Sequence, residues 1–208
     1  MPIPVSEVLK RAGIILNDDQ FVRWTKEELI GWINDGAAEI VIRRPSAHAI
    51  TETVELQAGV LQRIPVGGIQ LLDIPATEDG YPVRRVDRQL LDDQYPGWRR
   101  LKAGRTKHYT YDERTATTFY VYPAAVAGAK VEMFYSSPPP DVSSDTDSLD
   151  LDRVYMSPLV SFVLYRALAK DSEYSDGALA AAHYGAFGDA LGQQNETAAA
   201  ASPNVGSV

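Results

Sequence analysis

Helical periodicity is clearest over 24–45, where apolar residues recur at three- and four-residue spacing. A capping box specifies the start of this helix: Thr25 is the N-cap, Glu28 follows three residues later, and Trp24 and Leu29 occupy the staple positions around them. Pro45 marks the end, because proline cannot continue the hydrogen-bond ladder. The pattern predicts one amphipathic helix whose apolar stripe, tryptophans included, belongs to a core.

Three further helices are predicted on the same grounds. The first runs over 6–16, with Ser6 as its N-cap. Another runs over 157–170 and begins with a serine cap and a first-turn proline. The last runs over 176–191 and ends at Gly192, since glycine is favoured just past a helix end. Helices near both ends of the chain must therefore meet to bury their apolar stripes.

Between these helices the period of the apolar positions changes to two. Apolar and polar residues alternate from Ile50 to Ala58, as they do in a half-buried strand. Shorter runs of strand character, separated by Gly- and Asp-rich turns, follow at 60–66, 69–75, 83–87, 107–111, 117–122 and 129–135. The pattern predicts a small antiparallel sheet or sandwich.

Together these elements predict an α+β fold, in which a four-helix bundle formed by both chain ends carries an inserted antiparallel β-sheet or sandwich. The expected parts are N-terminal helices in 1–49, a β insertion in 50–140, a linker and C-terminal helices in 141–192, and a tail in 193–208. The tail is small and polar, so we expect it to be flexible unless a partner orders it.

Composition narrows the classes of function. The chain has 208 residues, no cysteine and a net charge of −8. Without cysteine there is no thiol nucleophile and no thiolate metal site. The negative charge opposes non-specific binding to nucleic acid. No apolar run approaches the roughly 20 residues that span a bilayer, and the N-terminus lacks the core of a signal peptide, so we expect a soluble protein with no membrane partner.

Motifs with catalytic or metal-binding chemistry are scarce. The run DTDSLDLD over 145–152 does not fit a calcium loop, because Leu149 and Asp150 stand where that loop needs an oxygen ligand and a glycine. The three histidines, His48, His108 and His183, have no metal-site spacing. No phosphate-binding loop, dinucleotide fingerprint or nucleophile elbow occurs. The sequence predicts no catalytic residue, metal or cofactor.

Charge is concentrated in two segments of opposite sign. The basic segment, 84–107, has eight Lys or Arg and three Asp, a net charge of +5, and the acidic loop, 141–152, has five Asp and no basic residue. If the basic segment of one copy docked on the acidic loop of the next, the excess positive charge of the first would pair with the excess negative charge of the second. The candidate contact residues in the two segments are Arg99, Arg100, Lys102, Arg105, Asp145 and Asp147.

Two other interpretations of the basic segment stay open. It is either a solvated face, or a nucleic-acid surface on which arginines bind phosphates and the interleaved aromatic residues stack on bases. The aromatic residues available for stacking are Tyr95, Trp98, Tyr109 and Tyr111.

An ordered set of motifs resembles the adaptor proteins of tailed-phage head-to-tail connectors. The set begins with W-x-x-x-E-L-I-x-W-I-N-D-x-x-x-E-I over 24–40. It continues with Leu56, Gly59, Gln62 and Pro65, then Pro96-Gly97-Trp98, FYVYPA at 119–124, VEMFYSSPP at 131–139 and YRALAKDSEYS at 165–175. The family is similar to tail tubular protein A of short-tailed phages and to the connector proteins of long-tailed ones.

The resemblance implies a structural protein of the virion, assembled in the host cytoplasm. It implies a ring of about twelve copies, a dodecamer, that lies under the portal protein, extends the DNA channel, and meets a tail nozzle or tail tube protein. Double-stranded DNA would pass through without specific binding. We expect further portal or subunit contacts in the tail, at Asn195 and Pro203.

Two alternatives to the adaptor interpretation remain. A carbohydrate- or host-binding β module would need exposed aromatic residues that line a groove on the sheet, and Tyr109, Tyr111, Tyr120 and Tyr122 could supply them. A small soluble enzyme would need a pocket with clustered, perturbed titratable groups.

Overall fold

A computed structural model describes the backbone of residues 1–170 and 175–201, and side chains as far as residue 192. The chain divides into two compact units. The helical unit comprises Met1–Ala47 and the chain from Pro139 onward, and the β unit comprises His48–Pro138. None of the described helices is long and apolar enough to cross a membrane.

Four of the helices belong to the helical unit and one short helix belongs to the β unit. In chain order they are α1 Val5–Leu16, α2 Lys26–Arg43, α3 Arg88–Gln94, α4 Met156–Ala169 and α5 Gly177–Ala201. The predicted capping box of α2 is confirmed. The Thr25 hydroxyl accepts a hydrogen bond from the Glu28 backbone N–H at 3.3 Å, and the Glu28 carboxylate accepts one from the Thr25 N–H at 3.3 Å.

Three predicted helix ends are wrong. Ser6 and Ser157 do not cap α1 and α4, whose N-cap positions are held by Pro4 and Tyr155 without a side-chain cap hydrogen bond. A short 3₁₀ turn, Arg153–Tyr155, leads directly into α4 and makes a serine cap unnecessary. Helix α5 does not end at Gly192 but continues to Ala201, since a glycine inside a helix costs only about 1 kcal/mol and the alanines at 198–201 are strong helix formers.

Within the helical unit, α4 packs against α1, α2 and α5. Helix α2 packs tightly on α4 at Gly36, where a β-carbon would lie 2.8 Å from the Phe162 ring and 2.9 Å from a Leu159 methyl group. The Trp24 indole N–H donates to the Ala167 carbonyl at 3.1 Å, which joins the start of α2 to the end of α4. The helices from the two chain ends therefore share one core.

Strands form at every position where the alternating pattern predicts one. They are β1 Ile3–Pro4, β2 Ala49–Glu55, β3 Gly59–Arg63, β4 Gln70–Thr77, β5 Arg84–Arg85, β6 His108–Tyr111, β7 Thr118–Ala125, β8 Lys130–Ser136 and β9 Ser148–Leu149. The two short strands β1 and β9, which pair with each other in the helical unit, are additions that no pattern predicts.

The β unit holds two sheets with one core between them. The sheets have strand orders β2-β8-β4 and β3-β7-β6-β5. Both sheets contribute to a cluster of buried side chains: Leu56, Ile64, Leu71, Ile74, Val83, Tyr109, Phe119, Val121, Ala125, Val131, Met133 and Tyr135. All pairs within the two sheets are antiparallel except β5 with β6, which is parallel. The predicted α+β class is confirmed.

Candidate functional site

The basic segment lies in the β unit, where its first residues form β5 and Trp98 packs on the face of the β3-β7-β6-β5 sheet that carries Tyr120 and Tyr122. Helix α3 and a 3₁₀ turn, Trp98–Arg100, bring Trp98 onto this face, where the indole is only 1% exposed. Its ring meets Tyr120 and Tyr122 edge-on, with centroids 6.3 and 6.2 Å apart. Aromatic packing therefore holds the basic segment on the sheet.

Asp92 organises the charges around this anchor. Its carboxylate accepts hydrogen bonds from the Trp98 indole N–H at 2.8 Å and from the Arg99 guanidinium at 2.9 Å, and the Arg88 guanidinium lies 3.9 Å away. The hydrogen bond from Trp98, followed by the contacts with Arg99 and Arg88, lowers the pKa of Asp92 against the opposing effect of burial. The Asp92 carboxylate therefore neutralises part of the positive charge of the basic segment and holds Trp98 and Arg99 in position.

The four basic candidates differ in how much of their charge is already engaged. Arg99 bonds Asp92 and lies over the Trp98 ring at 4.4 Å. Arg105 lies over the Tyr81 ring at 3.6 Å from its centroid. Arg100 and Lys102 are exposed, and among the described residues no acidic group pairs with either. These two cations are the most accessible ones for a partner.

The acidic candidates lie in the helical unit, where they stabilise the loop that carries them. Asp145 forms an ion pair with Lys26 at 2.7 Å. Asp147 accepts backbone hydrogen bonds from Ser143 and Ser144, both at 2.9 Å. These donors lower the pKa of both carboxyl groups. The loop is therefore built by its own aspartates, although the Asp145 side chain remains 39% exposed and can still accept a contact.

Two of the predicted contact residues lie near the C-terminal end of the chain. The side chain of Asn195 and the whole of Pro203 lie outside the described residues. Within the part of the chain that the structure describes, no three His, Asp or Glu side chains come together as a metal-ion site.

The tyrosines proposed for ligand stacking do not form an exposed row. Tyr109 is buried in the core of the sandwich, and Tyr111 is half-buried on the same strand. Tyr120 and Tyr122 lie beneath the basic segment, against Trp98. The aromatic groove that a carbohydrate-binding module would need is therefore not built from these residues, and Trp98 and Tyr109 are too deeply buried to stack on nucleic-acid bases.

A cleft that the sequence does not predict opens beside the basic segment. It has a volume of about 340 Å³ and is lined by Tyr81, Pro82, Arg84, Arg105, Thr106, Lys107 and His108. Burial, followed by the positive charges of Lys107 and Arg84, lowers the pKa of His108. No sequence signal places Tyr81 and Pro82 next to residues 105–108, because the contact depends on how the strands pair.

A second cleft, of about 400 Å³, opens in the helical unit beside α1. Leu9, Ile14 and Phe21 form its apolar wall, and Lys10 and Lys26 are among its polar residues. Ile14, which lines this cleft, and the neighbouring Ile15 are both exposed.

A protein-family model matches nearly the whole chain. The model of a family described as SU10 adaptor protein matches residues 3–207. A search of curated proteins found no match.

Proposed function

Because the chain belongs to the SU10 adaptor protein family, we propose that it is the structural head-to-tail adaptor of a phage virion. Many copies form a ring, with about twelve copies as the expected number, and the ring lies under the portal protein. The ring extends the DNA channel and offers a surface to the tail nozzle or tail tube protein. The observation that carries the proposal is that the family match extends over nearly the whole chain. Membership supports a structural role over an enzymatic one.

The helical unit supports this role as a subunit with a fixed shape. We propose that α1, α2, α4 and α5 act as one four-helix bundle. Arg43, at the end of α2, bonds the Glu39 carboxylate at 2.7 Å and the Tyr184 hydroxyl at 2.6 Å, so it links α2 to α5. Glu28 and Lys170 form an ion pair that links α2 to the end of α4. A ring needs subunits that keep their shape when force acts on them. These hydrogen bonds and this ion pair hold the helices together and support that rigidity.

The basic segment supports a contact between copies. Its exposed cations, Arg100 and Lys102, have no acidic partner among the described residues and are held on a packed aromatic base. The chain carries 28 acidic and 20 basic residues, so a neighbouring copy offers an excess of carboxylates. We propose that Asp145, which is still partly exposed, is among them, and that Asp147 holds the acidic loop in position. Arg99 and Arg105 would contribute less, because each already has a partner.

Two further parts of the proposal concern DNA and the tail. A chain with a net charge of −8 would repel DNA that passes through the ring, so transport would not stall on specific contacts. Asn195 and Pro203 remain the proposed contacts of the C-terminal segment with the portal or a neighbouring subunit.

Charge reversal at Arg100 tests the contact between copies. We expect Arg100→Glu to weaken ring formation on the portal several-fold in low salt, and we expect the effect to shrink as salt screens the interaction. Light scattering measures the assembled mass, and negative-stain imaging of the protein mixed with its portal shows the rings. Arg99 is unsuitable for this test, because Glu at that position would also face Asp92.

Arg63→Glu is the matched control, because Arg63 is an exposed cation on β3 in the same unit. It changes the net charge by the same amount and should leave assembly unchanged. Equal assembly of the two variants would contradict the proposed contact. Absence of rings in wild-type mixtures with portal would contradict the adaptor proposal itself.

A further inference from the structure

The cleft lined by Tyr81, Pro82, Arg84, Arg105, Thr106, Lys107 and His108 collects positive charge without a compensating acid. Three of its residues are Arg or Lys, and none is Asp or Glu. Like charges that line one cleft repel one another. Burial, followed by the positive charges of Lys107 and Arg84, lowers the pKa of His108. An anion bound in the cleft would reduce the repulsion between the cations.

Backbone pairing holds the lining in place. The Gly104 N–H donates to the Ala124 carbonyl at 2.9 Å, and the Lys107 N–H donates to the Tyr122 carbonyl at 2.9 Å. Residues 105 and 106 are therefore fixed between two attachments to β7. On the other wall, the Arg84 N–H donates to the Lys107 carbonyl at 3.0 Å, so the cationic residues come from adjacent strands.

Tyr81 positions the third cation. A turn holds this tyrosine, since the Thr77 N–H donates to the Tyr81 carbonyl at 2.8 Å and Gly80, at φ +79°, closes the turn. The central carbon of the Arg105 guanidinium lies 3.6 Å from the centroid of the Tyr81 ring. This cation–π contact holds the guanidinium against the ring, while its N–H groups can still donate to an oxygen ligand.

Two polar atoms in the lining have unmet hydrogen-bonding capacity. Thr106 is only 2% exposed, and among the described residues its hydroxyl has no hydrogen-bond partner. The Nδ1 atom of His108 is also buried, and no described residue pairs with it. Buried polar groups are normally satisfied, because leaving one unpaired costs about 1–3 kcal/mol. Together with the three cations, these two groups form a set that an anion can satisfy.

We propose that this cleft binds a phosphate group. Arg84, Arg105 and Lys107 supply charged N–H donors, and the Thr106 hydroxyl, together with Nδ1 of His108 in the tautomer that carries its hydrogen, supplies two more. A carboxylate has only two oxygens to meet these five groups. Inorganic phosphate or a terminal phosphomonoester has at least three free oxygens and a larger charge, so it fits the donor set better.

The number of free oxygens also separates two sources of phosphate. A phosphodiester within a DNA strand carries two unsubstituted oxygens and one charge, whereas a free or terminal phosphate carries more of both. The donor set therefore favours inorganic phosphate or a terminal phosphate over the DNA backbone.

The test uses the full chain and inorganic phosphate, without portal, so its outcome does not depend on ring assembly. We expect phosphate at about ten times its Kd to raise the Tm by roughly 3 °C relative to sodium chloride of equal ionic strength. In NMR spectra, the ring signals of His108 should shift more than those of His48 and His183. Calorimetric titration gives the Kd.

Three substitutions locate the site. Arg105→Gln should weaken phosphate binding roughly tenfold, because it removes one charged donor. Thr106→Val should weaken binding several-fold while it raises the Tm of the phosphate-free protein, since it removes an unpaired buried hydroxyl. Thr106→Ser keeps the hydroxyl and should restore binding. Arg63→Gln, at an exposed cation of β3 that does not line the cleft, is the matched control and should leave the Kd unchanged.

The outcomes separate the alternatives. Loss of binding in Arg105→Gln and Thr106→Val, with retention in Thr106→Ser and Arg63→Gln, supports the proposal. No stabilisation beyond that of chloride, or an equal loss in Arg63→Gln, overturns it. Tight binding of short duplex DNA that depends on Arg105, without binding of inorganic phosphate, would also overturn it in favour of the DNA backbone.

Discussion

At the scale of single residues, Asp18 fixes the loop between α1 and α2. Its carboxylate accepts backbone hydrogen bonds from Val22 at 3.0 Å, Arg23 at 2.8 Å and Trp24 at 3.1 Å, and the residue is only 8% exposed. Phe21, within this loop, has a φ of +56°. Burial alone would raise the pKa of Asp18, but the N–H donors of Trp24, Val22 and Arg23 outweigh it and lower the pKa below 3.8.

Asp18→Asn should reduce the free energy of unfolding by about 1–3 kcal/mol at neutral pH, because an amide oxygen cannot replace the charged acceptor. A carboxyl group with a lowered folded-state pKa stabilises the fold above its unfolded value of 3.8, and this stability is lost as the pH falls through the folded pKa. The difference between wild type and variant should therefore shrink in acid. Urea unfolding at several pH values measures it.

Asp19→Asn is the control, because Asp19 is exposed beside Asp18. It should change stability by no more than about 0.5 kcal/mol. A difference between Asp18→Asn and wild type that does not vary with pH would contradict the role of the charge.

At the scale of elements, some features follow from the local sequence pattern and others from tertiary packing. The capping box of α2 and the strand positions follow from residues a few positions apart, and the structure confirms them. Helix α3 is missed, because its seven residues are too few to display a helical period. The predicted serine caps of α1 and α4 are wrong, because neighbouring strand and turn residues already satisfy those helix starts.

Packing between α2 and α4 should be sensitive to side-chain size at Gly36. Gly36→Leu should lower the free energy of unfolding by roughly 1–3 kcal/mol, because even a β-carbon there would crowd Phe162 and Leu159. Gly31 lies on the same helix with nothing within 4 Å of an added β-carbon. Gly31→Leu should stabilise the protein by about 0.5–1 kcal/mol through helix propensity. Chemical denaturation compares the pair, and equal effects would contradict close packing at Gly36.

At the scale of the whole molecule, the two ends of the β unit meet. Strands β2 and β8 pair antiparallel from Ala49 with Ser136 onward, and the Ser137 N–H donates to the His48 carbonyl at 3.3 Å. The helical unit is therefore interrupted by a segment whose entry and exit points are adjacent. Such a segment, with a core of its own, has the properties of an inserted domain.

The fragment 48–138 should fold alone as a β protein. We expect cooperative thermal unfolding by circular dichroism, because the fragment contains both sheets and the core between them. The fragment 59–138 is the control, since it lacks β2 and removes a partner of β8. It should lose cooperativity. Cooperative unfolding of the shorter fragment alone would contradict the expected boundaries.

The sequence by itself determined the capping box of α2, the strand positions, the α+β class and the family resemblance, because these depend on residue spacing along the chain. The structure decided which strands pair and what covers each face. Trp98 lies over Tyr120, Asp145 bonds Lys26 instead of standing free, and Arg105 meets Tyr81. Each of these contacts joins residues more than 20 positions apart, and no local period encodes such a pairing. Such a contact forms only when the whole chain folds into the arrangement that buries its apolar surface.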